Sequence, residues 1–345
     1  MADILSLQNA LLSVTGPSGM EEDRAKLIAD MIGGFCDEVR VDRMYNVIAH
    51  KKGNGPKTMI SAHMDTLGFI VTFIEENGSL RFERLGGLTP NVILNTVVRF
   101  ANGVRGKVSR VRDPLRRDVK TGLLQTQDLY IDIGAGSREE AEKMVSVGDA
   151  AVYMGPAVLM GDGMILSPYL DDLISCVSQI MAMERLNGET LPNDVYFVFS
   201  VQEELGLRGA KGAAYGIDPA WGVAVDVTPV GDGRGQKRPS ETVCGKGVSI
   251  CSMNGSLIMD PKVVNYIRKI AAGNGISHQD EIMTRGGTDA AAIQHNRTGA
   301  AAGGISIPTR YIHSPSEMAA LSDIESCTDL LCALLRSDPV KGGLL

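Results

Sequence analysis

Two of the five histidines, His63 and His313, stand in carboxylate-rich settings. His63 lies in S-A-H-M-D-T at the end of the short apolar run KTMISAH, and an extended chain puts His63 and Asp65 on the same side. Asp65 is thereby placed to accept the second imidazole N–H, which is how a metal-ligating histidine is oriented. H-x-D alone is explained as well by a satisfied structural histidine. Its position at a strand end adds weight, because strand ends in α/β sheets face the ligand crevice. Downstream, Y-L-D-D-L opens a helix with Asp171 and Asp172, and helix-dipole compensation is the ordinary reading of such a pair.

The run F-V-F-S-V-Q-E-E-L-G is sharper, because a strongly apolar strand leads directly into Glu203 and Glu204. Adjacent like charges at the end of a buried strand are costly unless cations neutralise them. WGVAVDV carries Asp226 almost within its apolar run and asks for the same remedy, while R-Y-I-H-S-P-S-E brings His313 into a loop after the strand-like GGISI. Two histidines and a group of carboxylates, each at the end of a different core element, fit a two-metal hydrolytic site. Zinc or cobalt accepts mixed imidazole and carboxylate ligands, and one carboxylate can bridge two ions. Spacing alone leaves open whether Asp171 or Asp172 bridges, and which of Glu203 and Glu204 binds metal.

These residues need rigid elements to hold them. Ile4, Leu7 and Leu11 recur at helical spacing, and Ser18-Gly19-Met20-Glu21 has the pattern of a capping box before Ala25, Ile28, Ala29 and Ile32, so two helices start the chain. EVRVDRMYNVIAH alternates as a strand, Asn54-Gly55 reads as a hairpin turn, and KTMISAH is the next strand. From Gly68 to about Val152 the texture becomes short β-type runs (GFIVTFI, LRFERL, VVRFA, AAVYMG) broken by turns at Asn77-Gly78, Gly86-Gly87 and Asn102-Gly103, with one helix over Ser137 to Val147. From Ser167 helix and strand alternate, with helices over Pro261 to Ala272, Asp289 to Gln294 and Ser322 to Leu335. The expected architecture is α/β: a three-layer α/β/α catalytic core with a mixed sheet, formed by residues 1–68 and 155–345. A small β-rich, barrel-like domain at 69–154, serving dimerisation or assembly, interrupts it.

The bulk properties agree with a folded enzyme. A composition 44% hydrophobic and 22% charged gives no reason for extensive disorder, and 345 residues suggest a large domain carrying a smaller one. Six scattered cysteines with no C-x-x-C pair read as reduced thiols, which with the absence of a signal-peptide pattern points to the cytoplasm. No run approaches the ~20 apolar residues of a membrane span. A net charge of -7 disfavours nucleic-acid binding; the basic stretch from Arg105 to Lys120, interrupted by Asp113 and Asp118, reads as a solvated hairpin or interface loop.

Taken in order, His63 with Asp65, Asp171-Asp172, Glu203-Glu204, Asp226 in A-V-D-V-T, G-G-T-D-A at Gly286 to Ala290 and R-Y-I-H-S-P at Arg310 to Pro315 resemble the glutamyl aminopeptidase and TET-type (deblocking) family of dinuclear metallo-aminopeptidases. Order and approximate spacing hold across nearly the whole chain, and DLYIDIGAGSREEAE resembles that family's inserted β domain. The resemblance implies two divalent ions per subunit, zinc first, with cobalt or manganese as alternatives. It gives one ion His63 and Asp226, the other Glu204 and His313, and makes Asp171 the bridge. Glu203 becomes the general base, and Asp65 joins it in the catalytic set. Peptide substrates, neither nucleic acid nor membrane as partner, and a dimer-based homo-oligomer that can extend to a tetrahedral dodecamer are implied as well. Two positions depart from the family's common pattern, Thr66 where Glu follows H-M-D and Leu173 where Arg follows the paired aspartates, and both would alter the charge around the site. Gly286-Gly287-Thr288-Asp289 reads either as an ordinary capped helix start or as a substrate contact. Other functions compatible with the residues are a dinuclear amidohydrolase acting on acylated amino acids or sugars, a glycosidase using paired carboxylates, and a non-catalytic metal-binding assembly protein.

Overall fold

The computed structural model describes residues 3–110, 124–232 and 240–345. Its centre is the parallel trio Asp194–Ser200, Lys57–His63 and Trp221–Pro229, followed on the same sheet by the parallel strand Ala301–Arg310. Each of the four is almost wholly buried, which is why DVYFVFS, KTMISAH and WGVAVDV read as near-continuous apolar runs rather than alternating ones. Antiparallel strands extend both edges. Val47–Lys51 and Glu38–Val41 lie beyond Asp194–Ser200, and Glu317–Ala320, Met164–Ser167 and Val158–Met160 lie beyond Ala301–Arg310.

Helices cover both faces. Gly222 faces Ile293 of the helix Ala290–Gln294, whereas Gly303, one residue out of phase with the Gly222 partner Ala302, faces Val263 and Ile267 of the helix Pro261–Gly273. Both glycines are needed for close packing, since a Cβ would come within 2.6 Å of the Met59 carbonyl oxygen at Gly222 and 2.5 Å of Val263 Cγ1 at Gly303. The long helices Leu170–Arg185 and Leu321–Arg336 pack on each other. A closed six-stranded barrel, with strands in the order Gly68–Ile74, Leu80–Leu85, Leu129–Asp132, Arg105–Arg110, Val97–Phe100 and Ala150–Tyr153, stands beside this core. Phe69, Phe82, Val98, Phe100, Val108 and Ile131 are buried within it. The mixed α/β fold with a large mixed sheet and a small closed barrel is therefore the one read from the sequence.

Several local readings change. EVRVDRMYNVIAH is two strands, Glu38–Val41 and Val47–Lys51, joined antiparallel through a turn in which the Asp42 carboxylate accepts from the Met44 and Asn46 amides. Asn54-Gly55 makes no hairpin: Asp194–Ser200 inserts between Val47–Lys51 and Lys57–His63, so a tertiary pairing overrides the local turn signal. The helix after Ser137 covers only Arg138–Glu142, capped as expected by the Ser137 hydroxyl, and a second short helix, Pro90–Ile93, accompanies it. Within the basic stretch, Arg105–Arg110 is a barrel strand, and residues 111–120 lie outside the described residues. The six cysteines form no disulfide. No helix among the described residues is long and apolar enough to cross a membrane.

Phe197, fully buried on the strand between Val47–Lys51 and Lys57–His63, tests this arrangement. Phe197→Ala is expected to lower the unfolding free energy by about 3–5 kcal/mol, measured as a shift in the chemical-denaturation midpoint; a change within error would argue against a central strand here.

Candidate metal centre

The carboxyl ends of the parallel strands converge on one crevice, where ligand sites of open α/β sheets form. His63 is the last residue of its strand and stands in register with Ser200, so the chain leaving the adjacent strand delivers Glu203 and Glu204 beside it. Asp226 lies near the end of the strand on the other side. Asp171 is at the start of Leu170–Arg185, where Asp171 and Asp172 depart from helical dihedrals, and His313 follows Ala301–Arg310 in a loop with φ of 65°.

Asp171 links the two histidines: Oδ1 is 3.0 Å from His63 Nε2 and Oδ2 is 3.2 Å from His313 Nε2. Ligand atoms of His63, Asp171 and Asp226 lie within 4.8 Å of one another, as do those of Asp171, Glu204 and His313. Both candidate metal-ligand groups thus contain Asp171. Asp172 belongs to neither, and its Oδ2 accepts from the His63 amide at 3.1 Å. Glu203 Oε2 is 3.9 Å from His63 Nε2, and Glu203 belongs to neither group. The imidazoles are oriented from behind. His63 Nδ1 donates to the Asp65 carbonyl at 3.1 Å, and His313 Nδ1 donates to the Gly87 carbonyl at 3.2 Å, so each Nε2 is left facing the carboxylates.

Asp65 was expected to receive the His63 N–H on its carboxylate; that oxygen is 3.5 Å away, and the shorter contact is to the Asp65 backbone carbonyl. The carboxylate is occupied elsewhere. Oδ1 accepts from the Glu203 amide at 2.9 Å, and Oδ2 accepts from the Ser18 hydroxyl at 2.6 Å and the Glu204 amide at 3.3 Å. Ser18 and Glu21 accordingly form no capping box. The helix runs Glu22–Ile32 without a side-chain cap, and the Glu21 carboxylate accepts from the Gly19 and Gln202 amides.

Protonation reflects the crowding. Burial pushes Glu203, Asp226 and Asp172 well above the ordinary carboxylate range and raises Glu204, with neighbouring carboxylates adding to the shift. Burial acts against a charged His313, but its hydrogen bonds to Asp171 and Glu204 prevail and raise it to about 12. The same two histidines hold Asp171 below its usual value despite burial. So many carboxyl groups cannot all ionise in one enclosed site unless cations join them. Glu204 Oε1 is buried inside the second ligand group with only the His313 Nε2, 3.4 Å away, as a partner. The mixed imidazole and carboxylate donors suit borderline divalent metals, so the residues present fit a metal centre.

The crevice opens into a cavity of about 760 Å³, lined by His63, Asp171, Glu203, Glu204, Asp226 and His313 together with Lys211, Arg285, Gly286 and Gly287. Gly286-Gly287 therefore reaches the cavity, while Asp289 turns inward and accepts from the Ser61 and Ser200 hydroxyls. Thr66 and Leu173 are fully buried and do not line it; Thr66 is bonded to the Gly16 carbonyl, and Leu173 packs in the core. Their expected effect on charge around the site is thus indirect. The sequence reading missed Gly87 and also Glu317, whose carboxylate accepts from the His313 amide at 2.8 Å. Gly87 was visible only as half of a turn signal, and Glu317 only as the last letter of H-S-P-S-E, although an acidic residue so close to a candidate ligand was a usable cue.

Residues 45–330 match the family described as M42 glutamyl aminopeptidase. The chain belongs to that family. A lysyl aminopeptidase from Pyrococcus furiosus is 36% identical over 343 residues, spanning 95% of this chain and 96% of its own. A TET aminopeptidase structure from the marine sediment archaeon Thaumarchaeota archaeon SCGC AB-539-E09 superposes with a TM-score of 0.93 at 32% identity, covering 99% of each chain. The Pyrococcus horikoshii TET1 peptidase, described as assembling into a tetrahedron or a large octahedral shell, superposes with a TM-score of 0.87 at 30% identity over 96% of this chain and 99% of its own. The M42 assignment makes this protein an aminopeptidase, a hydrolase of peptide bonds.

A Cβ at Gly87 would lie 2.7 Å from the His313 ring. Gly87→Ala is therefore expected to displace that imidazole and lower kcat/KM on aminoacyl substrates by about 10–100-fold, with the thermal midpoint nearly unchanged. Wild-type kinetics would show that His313 does not depend on this contact.

Proposed function

We propose that the chain is a cytoplasmic, dinuclear metal-dependent aminopeptidase that removes N-terminal residues from peptides. The observation that carries this reading is the Asp171 carboxylate, shared by the two ligand groups. His63 and Asp226 would hold one cation and Glu204 and His313 the other, with Asp171 as the ligand common to both. Zinc is the first choice, with cobalt and manganese as alternatives. When bound, the ions supply Lewis-acid polarisation of the scissile carbonyl and lower the pKa of water.

Glu203 acts as the general base. It lines the cavity yet lies outside both ligand groups, and its amide is fixed by Asp65, which serves as its positioning partner. Its carboxylate takes a proton from the attacking water as the water oxygen bonds to the peptide carbonyl carbon. It returns that proton to the amine nitrogen as the C–N bond breaks.

Residues 1–68 and 155–345 form the catalytic domain in this reading, and 69–154 form an inserted dimerisation and assembly domain. In the same reading the chain is a dimer-based homo-oligomer, up to a tetrahedral dodecamer, supported by the likeness to TET peptidases; light scattering giving a monomer would remove the assembly claim alone.

Glu203→Gln is expected to keep both metals while kcat falls at least ~100-fold, and His313→Ala to reduce bound metal toward about one ion per chain. Metal analysis beside turnover of aminoacyl p-nitroanilides checks both, and full activity of metal-replete Glu203→Gln would overturn the base assignment. Cleavage of peptides with blocked rather than free N-termini would favour the amidohydrolase reading instead.

A further inference from the structure

Glu317 is a buried carboxylate that the proposed reaction does not use, 1% exposed at the start of the strand Glu317–Ala320. Its two oxygens accept from two backbone amides far apart in sequence. Oε2 takes the Asp171 N–H at 2.8 Å, and Oε1 takes the His313 N–H at 2.8 Å. Glu317 pairs across the sheet with Ser167, four residues before Asp171, and lies four residues after His313. One side chain therefore straps the start of the helix Leu170–Arg185 to the loop that carries His313.

Both strapped residues have backbone conformations that a regular element would not hold. Asp171 departs from helical dihedrals inside its helix, and His313 has φ of 65°. Their amides cannot be satisfied by ordinary helix or sheet ladders, and a buried amide without a partner is costly. A glutamate supplies two acceptor oxygens at the span required; an amide side chain offers one acceptor and would turn its NH2 toward the other N–H.

We infer that Glu317 is a positioning residue for the metal centre, fixing Asp171 and His313 together so that the Asp171–Glu204–His313 group forms. This rests on the proposed assignment of those residues as ligands. The other group is affected less, because His63 and Asp226 sit on the parallel strands Lys57–His63 and Trp221–Pro229 and neither is bonded to Glu317. A graded effect follows: Glu317→Gln loosens one arm of the strap, and Glu317→Ala loosens both.

The test is stepwise zinc titration of the full-length metal-free protein against a chromophoric chelator, for wild type, E317Q and E317A, alongside thermal unfolding and hydrogen exchange. The expected result is wild-type binding of two ions. One affinity should fall by about 10–100-fold in the variants, more in E317A than in E317Q, and the other should change much less. Amide exchange should quicken at Asp171 and His313 in the metal-free variants. Two wild-type affinities in E317Q would overturn the positioning role, as would an equal loss of both that merely tracks a lower thermal midpoint. E317Q carries the decision if E317A does not fold. A wild-type protein that binds no zinc, cobalt or manganese would instead remove the metal assignment on which the inference stands, and the inference with it.

Discussion

The Asp171 carboxylate between the His63 and His313 imidazoles is the contact around which the functional half of the molecule is organised. It requires an oxygen pair from the start of one helix to meet nitrogens from a central strand and from a loop beyond the sheet. The remaining carboxylates are affordable only within that arrangement. Glu203, Glu204, Asp226 and Asp172 are buried together in a way an apolar core would not tolerate without compensating positive charge.

Behind these groups stands a layer of acceptors directed at backbone amides. Asp65 receives Glu203 and Glu204, Glu21 receives Gln202, Asp172 receives His63, and Glu317 receives Asp171 and His313. The recurrence has a physical reason. Chain leaving a strand loses its ladder partners, so its N–H groups need acceptors, and carboxylates give the strongest such bonds. The supporting acids thus rigidify exits from the sheet, and each exit carries a residue of the site.

How much of this the sequence disclosed depended on whether a feature was local. The apolar strands running into Glu203-Glu204 and through Asp226 declared both the buried sheet and its charged ends, because burial on two faces leaves a continuous apolar run. The helix opened by Y-L-D-D-L and the one expected over Ser322 to Leu335 are found as Leu170–Arg185 and Leu321–Arg336. Failures arose where a distant segment decided the outcome. Asn54-Gly55 looked like a hairpin turn because nothing nearby revealed that Asp194–Ser200 would enter between its flanking strands. Ser18 and Glu21 fit a capping pattern, yet Asp65 and the Gln202 amide claim them from across the fold. That the candidate ligand groups contain Asp171 rather than Asp172, and Glu204 rather than Glu203, could not be reached from spacing, since neighbours in sequence differ only in which way the folded backbone aims them.

The Gly86-Gly87 turn gives the barrel a place inside the crevice of the other lobe. Gly86 has φ of 83°, a Cβ there would lie 2.4 Å from Leu67 Cδ2, and the Gly87 carbonyl holds the His313 imidazole. The barrel is consequently not a detachable accessory. Excising it, or grafting in the barrel of a relative, would remake part of the site's wall, so a chimera of this enzyme inherits some chemistry along with the exchanged barrel.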